Sequence, residues 1–374
     1  MKAESAAVIS GVGWSDIGRR LHRDPRLLTV DAALAAIADA GLTTADIDGV
    51  STYPGASGST PGMSGAGVDD VRTLLGLDLR WHTGGAELAG QLGALVNAVL
   101  AVAGGLADHV LCFRSVWEST AQDRAGDRSS IVAQSQRPVV QWGKPYGSGY
   151  VTYGALAMQR YMHETGATRE QFAQLAVTSR ANAAGNPLAV YRAPMSVDDY
   201  LGARMISDPL CLFDCDVPVD GAVAVIVSRA DSPAVDRRKA VGIEAMSSAT
   251  GFDQSAEMLW SRTDLKPLDV DLAEIYDGFT IYAVRWLESL GLTPRGETGP
   301  FVEGGSRIAL DGELPISTGG GQLSGGRLHG FGALLEACLQ LRGEGGARQV
   351  PGDPEVAVVT SGAEAFTSCL LLVR

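Results

Sequence analysis

The chain has 374 residues, 45% hydrophobic and 20% charged, a globular composition on a length that exceeds one compact core and points to two domains or a duplicated one. Its formal net charge of −13 argues against nucleic acid or an anionic membrane as the main partner, because both require a basic face. Five cysteines, an odd number without CxxC spacing, indicate reduced thiols in a cytoplasm, not a disulfide framework or a zinc site, and no apolar run reaches transmembrane length.

Residues 6–13 (AAVISGVG) predict a buried first strand, and Thr29-Val30-Asp31 begins a helix that runs through AALAAIADA to Gly41. Residues 49–53 read as the next strand, and 54–68, rich in Pro, Gly and Ser, as a long loop. Residues 81–105 (WHTGGAELAGQLGALVNAVLAVAGG) combine a glycine-containing junction with a helix so apolar that it belongs at the centre of the fold, followed by a strand at ADHVLCF. From Ser115 to about Asn186 the regular alternation stops. This region reads as an insert with helices near 150–163 and 169–184, carrying Trp117, Trp142, Tyr146, Tyr150, Tyr153 and Tyr161, rings that either wall an apolar ligand or core the insert itself. AVAVIVS closes a first half at residues 1–230, and a polar linker leads to a second half at 240–374. There a strand at 240–244 precedes a helix near 253–263, a strand at 271–276, a helix at 279–290 and a hydrophilic loop at 294–315.

Gly319 to Gly343, GGGQLSGGRLHGFGALLEACLQLRG, has two unlike halves. The glycines form a loop whose backbone can take positive φ and approach a ligand closely; from about Leu328 the spacing of Leu334, Leu335, Cys338, Leu339 and Leu341 predicts a buried helix. A glycine-rich loop entering a helix presents free N–H groups suited to an anion, with Arg327 and His329 at the junction. A strand follows at 355–360, so this stretch repeats the pattern of residues 81–113 and indicates an internal duplication.

With these blocks assembled, the chain resembles the thiolase superfamily over nearly its whole length, in the branch related to sterol carrier protein thiolases. The resemblance rests on DAALAAIADAGL followed by DIDGV, on DCDVPVDGAVAVIVSRA, on LAEIYDGFT and on the Gly319–Gly343 stretch, in this order. It implies an α/β thiolase fold, two similar βαβαβαββ halves in a five-layer αβαβα arrangement, a tight homodimer, and active sites where the buried helices start. The departures are as informative. Where a thiolase carries its nucleophilic cysteine this chain has HTGGAELAGQ, the histidine of the family's Gly-His-Pro loop is replaced by Arg327, and the final loop TSGAEAF lacks the second cysteine. Tyr276-Asp277-Gly278-Phe279 puts a phenol where a thiolase has an amide or imidazole. This pattern resembles the lipid-transfer-protein group of steroid side-chain-cleaving aldolases. That resemblance implies retro-aldol cleavage of a β-hydroxyacyl-CoA to a steroid ketone and a short acyl-CoA, with no cofactor beyond the CoA of the substrate. It also implies as partner an OB-fold and zinc-ribbon domain belonging to a MaoC-type hydratase.

A retro-aldol needs a base for the β-hydroxyl proton, a holder for the thioester enolate and an acid for its α-carbon. Tyr276 is the expected proton-transfer residue, with Arg327 lowering its pKa and His329 as the alternative base; Tyr282, six residues further along a helix, is expected to face elsewhere. Backbone N–H groups near Gly362 and at Gly84-Gly85 would hold the enolate oxygen, with Gly326 allowing close approach. Glu87 and Asp277 are polar residues at the two junctions, Asp277 being equally suited to capping the helix after Phe279. Two other readings compete: a thiolase (acetyl-CoA acyltransferase) with a different nucleophile, and a non-catalytic acyl-CoA-binding or lipid-binding subunit.

Overall fold

The computed structural model describes residues 2–57, 61–85, 91–124, 149–363 and 366–374. The first half runs β1 (Ala7–Trp14), α1 (Pro25–Asp39), β2 (Gly49–Thr52), α2 (Val68–Leu75), β3 (Trp81–Gly84), α3 (Gly93–Ala103), β4 (His109–Trp117) and α4 (Glu118–Arg124). The expected insert holds α5 (Tyr150–Thr165) and α6 (Arg169–Ala184); α7 (Val197–Leu201), β5 (Met205–Ser207) and β6 (Leu210–Cys211) come after it, and β7 (Asp220–Arg229) follows. The second half contains β8 (Val241–Ala249), α8 (Phe252–Trp260), β9 (Leu272–Glu274), α9 (Thr280–Ser289), α10 (Thr298–Val302), α11 (Phe331–Leu341), β10 (Val356–Ala363) and β11 (Phe366–Val373).

Among the described residues the main sheet has the order β3-β2-β4-β7-β1-β8-β11-β10-β9. A parallel bridge between Ala273 and Ile316 stands beyond β9 where a third strand of the second half would lie. Counted within each half, both therefore follow the same order, third, second, fourth, fifth, first, and they meet where β1 pairs antiparallel with β8 at Val8–Gly242 and Ile9–Val241. Strand alternation then dictates the layers. In β7, Val223, Val225 and Val227 face a core shared with α3 and α11, while Ala222, Ala224 and Ile226 face α1. In β11, Leu370 and Leu372 face that same central core, while Cys369 and Leu371 face α8 and α9. Two buried helices thus lie between two half-sheets, with helices on both outer faces, which makes five layers. No helix of the described residues is long and apolar enough to cross a membrane.

Several local expectations change. Helix α1 starts at Pro25, ahead of the Thr29–Asp31 start read from the sequence, because the Asp24 carboxylate accepts from the Arg26 amide at 2.9 Å and proline suits the first helical position. Strand β4 extends to Trp117, into the expected insert. The final TSGAEAF segment belongs largely to the β10–β11 hairpin and is not an open loop. In the insert, Tyr161 packs edge-on against Phe172 and donates to Glu288 at 2.6 Å, so it cores the insert, whereas Tyr150 is exposed. Trp142 and Tyr146 lie outside the described residues.

Candidate active site

The site is built where three chain segments converge at the edge of the second half. Strand β9 ends at Glu274, and the Tyr276 amide donates to Thr360 Oγ1 at 2.7 Å, which fixes the 276–279 turn against β10. The approach to β7 is tied to that turn by the Asp216 amide, donating to the Gly278 carbonyl at 3.2 Å. The third segment is a single wide π-helical turn, Gly321–Gly325, where a plain glycine loop was expected. Asp277 accepts from the Gln322 amide at 2.8 Å, while Asn186 and Ser179 of the insert hold the Gly319 and Gly320 carbonyls. Gly326 has φ 125°, and a Cβ there would come 2.7 Å from Val219, so this glycine brings the turn against the β7 segment. The Arg327 amide then donates to the Val217 carbonyl at 2.8 Å.

These contacts bring a cluster of polar side chains together. The Arg327 guanidinium lies between Glu118, at 2.7 Å, and Asp216, at 2.9 Å. His329, at φ 49° and buried, has Nε2 3.5 Å from Glu118 Oε1, longer than a well-formed hydrogen bond. Behind it Arg114 is fully buried, donating to the carbonyls of Tyr53, Met63 and Ser115. Tyr276 lines a cavity of about 50 Å³ with Asp277, Gln322, Gly326, Leu328 and Gly330, and Glu274, Glu336 and Arg348 line the same cavity.

The electrostatics separate these groups. Burial opposes ionisation of Glu118, but the His329 imidazole and the guanidiniums of Arg327 and Arg114 outweigh it and hold its carboxyl at about 2. Burial raises Asp216 to about 7, with Glu118 and Asp277 adding like charge and Arg327 pulling the other way. Burial and the Arg114 charge push His329 down to about 4, so its ring is neutral at neutral pH and a weak base. The Tyr276 phenol is raised, first by burial and then by Asp216, more than Arg327 lowers it. Arg327 therefore does not deliver the activated phenolate expected of it, because burial of the phenol and the Asp216 charge outweigh its guanidinium.

The other expected site residues fall as follows. Asp277 does not cap α9; its oxygens accept from the amides of Gln322 and Leu323, and burial raises it to about 6. Tyr282 packs on Phe279 at 5.3 Å between ring centroids and is one of the groups raising Tyr276, so it does not face away. Gly362 has φ 81° and pairs with Thr367 in the hairpin, and its carbonyl accepts from Trp286 Nε1 at 3.1 Å. Gly84 ends β3, Gly85 follows it, and neither is among the described residues lining the cavity; Glu87 lies outside the described residues. The start of α3 nevertheless reaches the second half, through the Gln91 amide donating to Ser361 Oγ at 3.1 Å.

With the geometry in place, the comparisons are direct. The family described as thiolase C-terminal domain-like matches residues 233–373. A 17-hydroxy-3-oxo-4-pregnene-20-carboxyl-CoA lyase of Mycobacterium tuberculosis is 32% identical, covering 98% of both chains. A steroid side-chain-cleaving aldolase of Thermomonospora curvata is 31% identical, over 98% of this chain and 97% of its own. The chain belongs to the thiolase superfamily, among its side-chain-cleaving aldolases. A solved Ltp2-ChsH2(DUF35) aldolase superposes with a TM-score of 0.88 at 30% identity, over 99% of this chain and 98% of that one.

In this thiolase-like aldolase, sequence reasoning missed Asp216, Glu118, Arg114 and Gln322. The run DCDVPVDG offered a signal, but three acids compete in it. Asp214 is saturated by Tyr200, Thr280 and the Cys211 amide, and Asp220 by Thr120 and the Leu21 amide. Only Asp216 is paired to Arg327, a partner 111 positions away. Burial raises all five cysteine thiols of this lyase, Cys215 to about 12.

Proposed function

We propose that the chain cleaves a β-hydroxyacyl-CoA by a retro-aldol reaction, without a covalent acyl-enzyme, with Tyr276 as the residue that delivers a proton to the α-carbon. The observation that carries this reading is a neutral phenol on the cavity wall in a site without a thiolate. An acid is what the enolate requires, and a thiolase nucleophile would require a lowered thiol pKa. His329, a neutral imidazole whose two ring nitrogens and the neighbouring Gln322 Nε2 are buried without a hydrogen-bond partner, is suited to hydrogen-bond a substrate oxygen. Arg327 keeps the two acids around it in place. Backbone N–H groups near Gly362 and at Gly84-Gly85 remain the candidate holders of the enolate oxygen.

The names of the two similar lyases support a steroid side-chain CoA ester as substrate; a short acyl-CoA such as propionyl-CoA is the product the retro-aldol reading expects. The Ltp2-ChsH2(DUF35) assembly supports a second subunit of DUF35 type; in our reading that subunit is the OB-fold and zinc-ribbon domain of a MaoC-type hydratase, and the chain itself forms a homodimer. The test is mass analysis of products from a panel of β-hydroxyacyl-CoA esters, with and without such a partner. A ketone and a shortened acyl-CoA support the proposal. Acetyl-CoA from acetoacetyl-CoA and free CoA would indicate a thiolase, and binding without turnover in the presence of the partner would indicate a non-catalytic subunit.

A further inference from the structure

The proposed reaction needs a base, and neither expected candidate suits: Tyr276 holds its proton and His329 is too weakly basic. We infer that Asp216 is that base, and that it forms with Tyr276 a closed proton circuit. This inference rests on the retro-aldol reading.

The placement of Asp216 supports it from several sides. Its backbone is fastened to the catalytic turn through Gly278, its carboxylate is anchored at one oxygen by Arg327 Nη1 at 2.9 Å, and its side chain is 10% exposed, so it is reachable but sheltered. The charged and titratable groups facing it are Arg327, Glu118, Asp277, Tyr276 and Cys215. Glu118, the other acid on Arg327, is held ionised by cations and is a poor proton acceptor, whereas burial leaves Asp216 near neutrality, where a base and its conjugate acid are both populated. Two carboxylates on one arginine thus have opposite characters, the pattern by which one site separates a charge holder from a proton carrier.

The steps balance. The Asp216 carboxylate takes the β-hydroxyl proton, and the O–H electrons become the new carbonyl bond. The α–β C–C bond breaks, its electrons passing into the thioester enolate. The Tyr276 O–H then gives its proton to the α-carbon, and Asp216, now a carboxylic acid, returns the first proton to the phenolate. Both residues end as they began, and no co-reactant is consumed.

The test pairs kinetics with infrared spectroscopy on wild type, Asp216→Asn and Asp216→Glu, together with the partner subunit, each checked by thermal unfolding. The expected wild-type kcat/KM falls on the acid side with an apparent pKa near neutrality. Asp216→Asn is expected to lower kcat about 100-fold or more, to abolish that acid limb and to leave KM within a few-fold, with Asp216→Glu restoring part of the rate. Independently of turnover, the protonated-carboxyl absorption that disappears between about pH 5 and about pH 9, to which Asp277 and Glu274 also contribute, should lose one component in Asp216→Asn. Retention of both wild-type rate and acid limb by Asp216→Asn overturns the inference, as does a band unchanged by the substitution. Wild type that cleaves no ester of the panel sinks the retro-aldol reading instead, and the infrared result still decides whether Asp216 exchanges a proton near neutral pH.

Discussion

Two arginine–carboxylate networks flank the Gly321–Gly325 turn, and they are built on opposite plans. Arg348 meets Glu336 as a fork, with Nε at 2.8 Å from one oxygen and Nη2 at 2.9 Å from the other, while Gln340 and Thr318 donate to the same carboxylate. Arg327 instead divides its charge between Glu118 and Asp216 through single contacts. Of the eight buried polar side-chain atoms without a hydrogen-bond partner among the described residues, four lie around Arg327, on Arg114, Gln322 and His329, and none lies on Arg348, Glu336 or Gln340. A buried polar group left unpaired costs about 1–3 kcal/mol, so the Arg348 network is made for holding and the Arg327 network keeps hydrogen-bonding capacity for a ligand.

The contrast is open to direct challenge. Tyr276→Phe is expected to lower kcat about 10²- to 10⁴-fold with an unchanged melting temperature, read from product formation and thermal unfolding. Arg348→Met should do the reverse: it strands Glu336 without its partner and costs about 3–5 kcal/mol in denaturant unfolding, while the folded fraction keeps the wild-type pH profile. Arg327→Gln removes the cation that pulls Asp216 down, so the acid limb of kcat/KM should move to higher pH, with a loss of roughly tenfold in rate. The smallest effect concerns stability. Asp216 has its folded value raised to about 7 from 3.8, so it favours the protonated native state, and the stability it contributes is present below about pH 4 and lost as pH rises through about 7. Asp216→Asn should therefore melt higher than wild type at about pH 8, by on the order of 1 kcal/mol, with the gain fading towards about pH 4.

The sequence made the α/β elements legible because strand alternation and two apolar helices are local signals, and the structure arranges the strands in a mirrored order. It hid the start of α1, where a single Asp24-Pro25 cap outweighs the periodicity, and the reduction of one second-half strand to the bridge at Ile316. Tyr276, Arg327 and His329 could be named because they stand where a related family has other chemistry. Asp216 and Glu118 could not, since each gains its meaning only from Arg327, and no spacing rule links positions 111 and 209 residues apart. The direction of the Tyr276 shift was hidden too: the cation is visible in sequence, but the burial of the phenol and the Asp216 carboxylate beside it are not.

The central claim is that Tyr276 delivers a solvent-exchangeable proton to the α-carbon of an enolate. Cleavage of a β-hydroxyacyl-CoA in D₂O, followed by mass and NMR analysis of the released acyl-CoA, tests it most directly. The account predicts one deuterium at the α-carbon with wild type and loss of that product with Tyr276→Phe. Equal rates and equal labelling in the two proteins would contradict it, as would cleavage that proceeds only with free CoA and yields two acyl-CoA products.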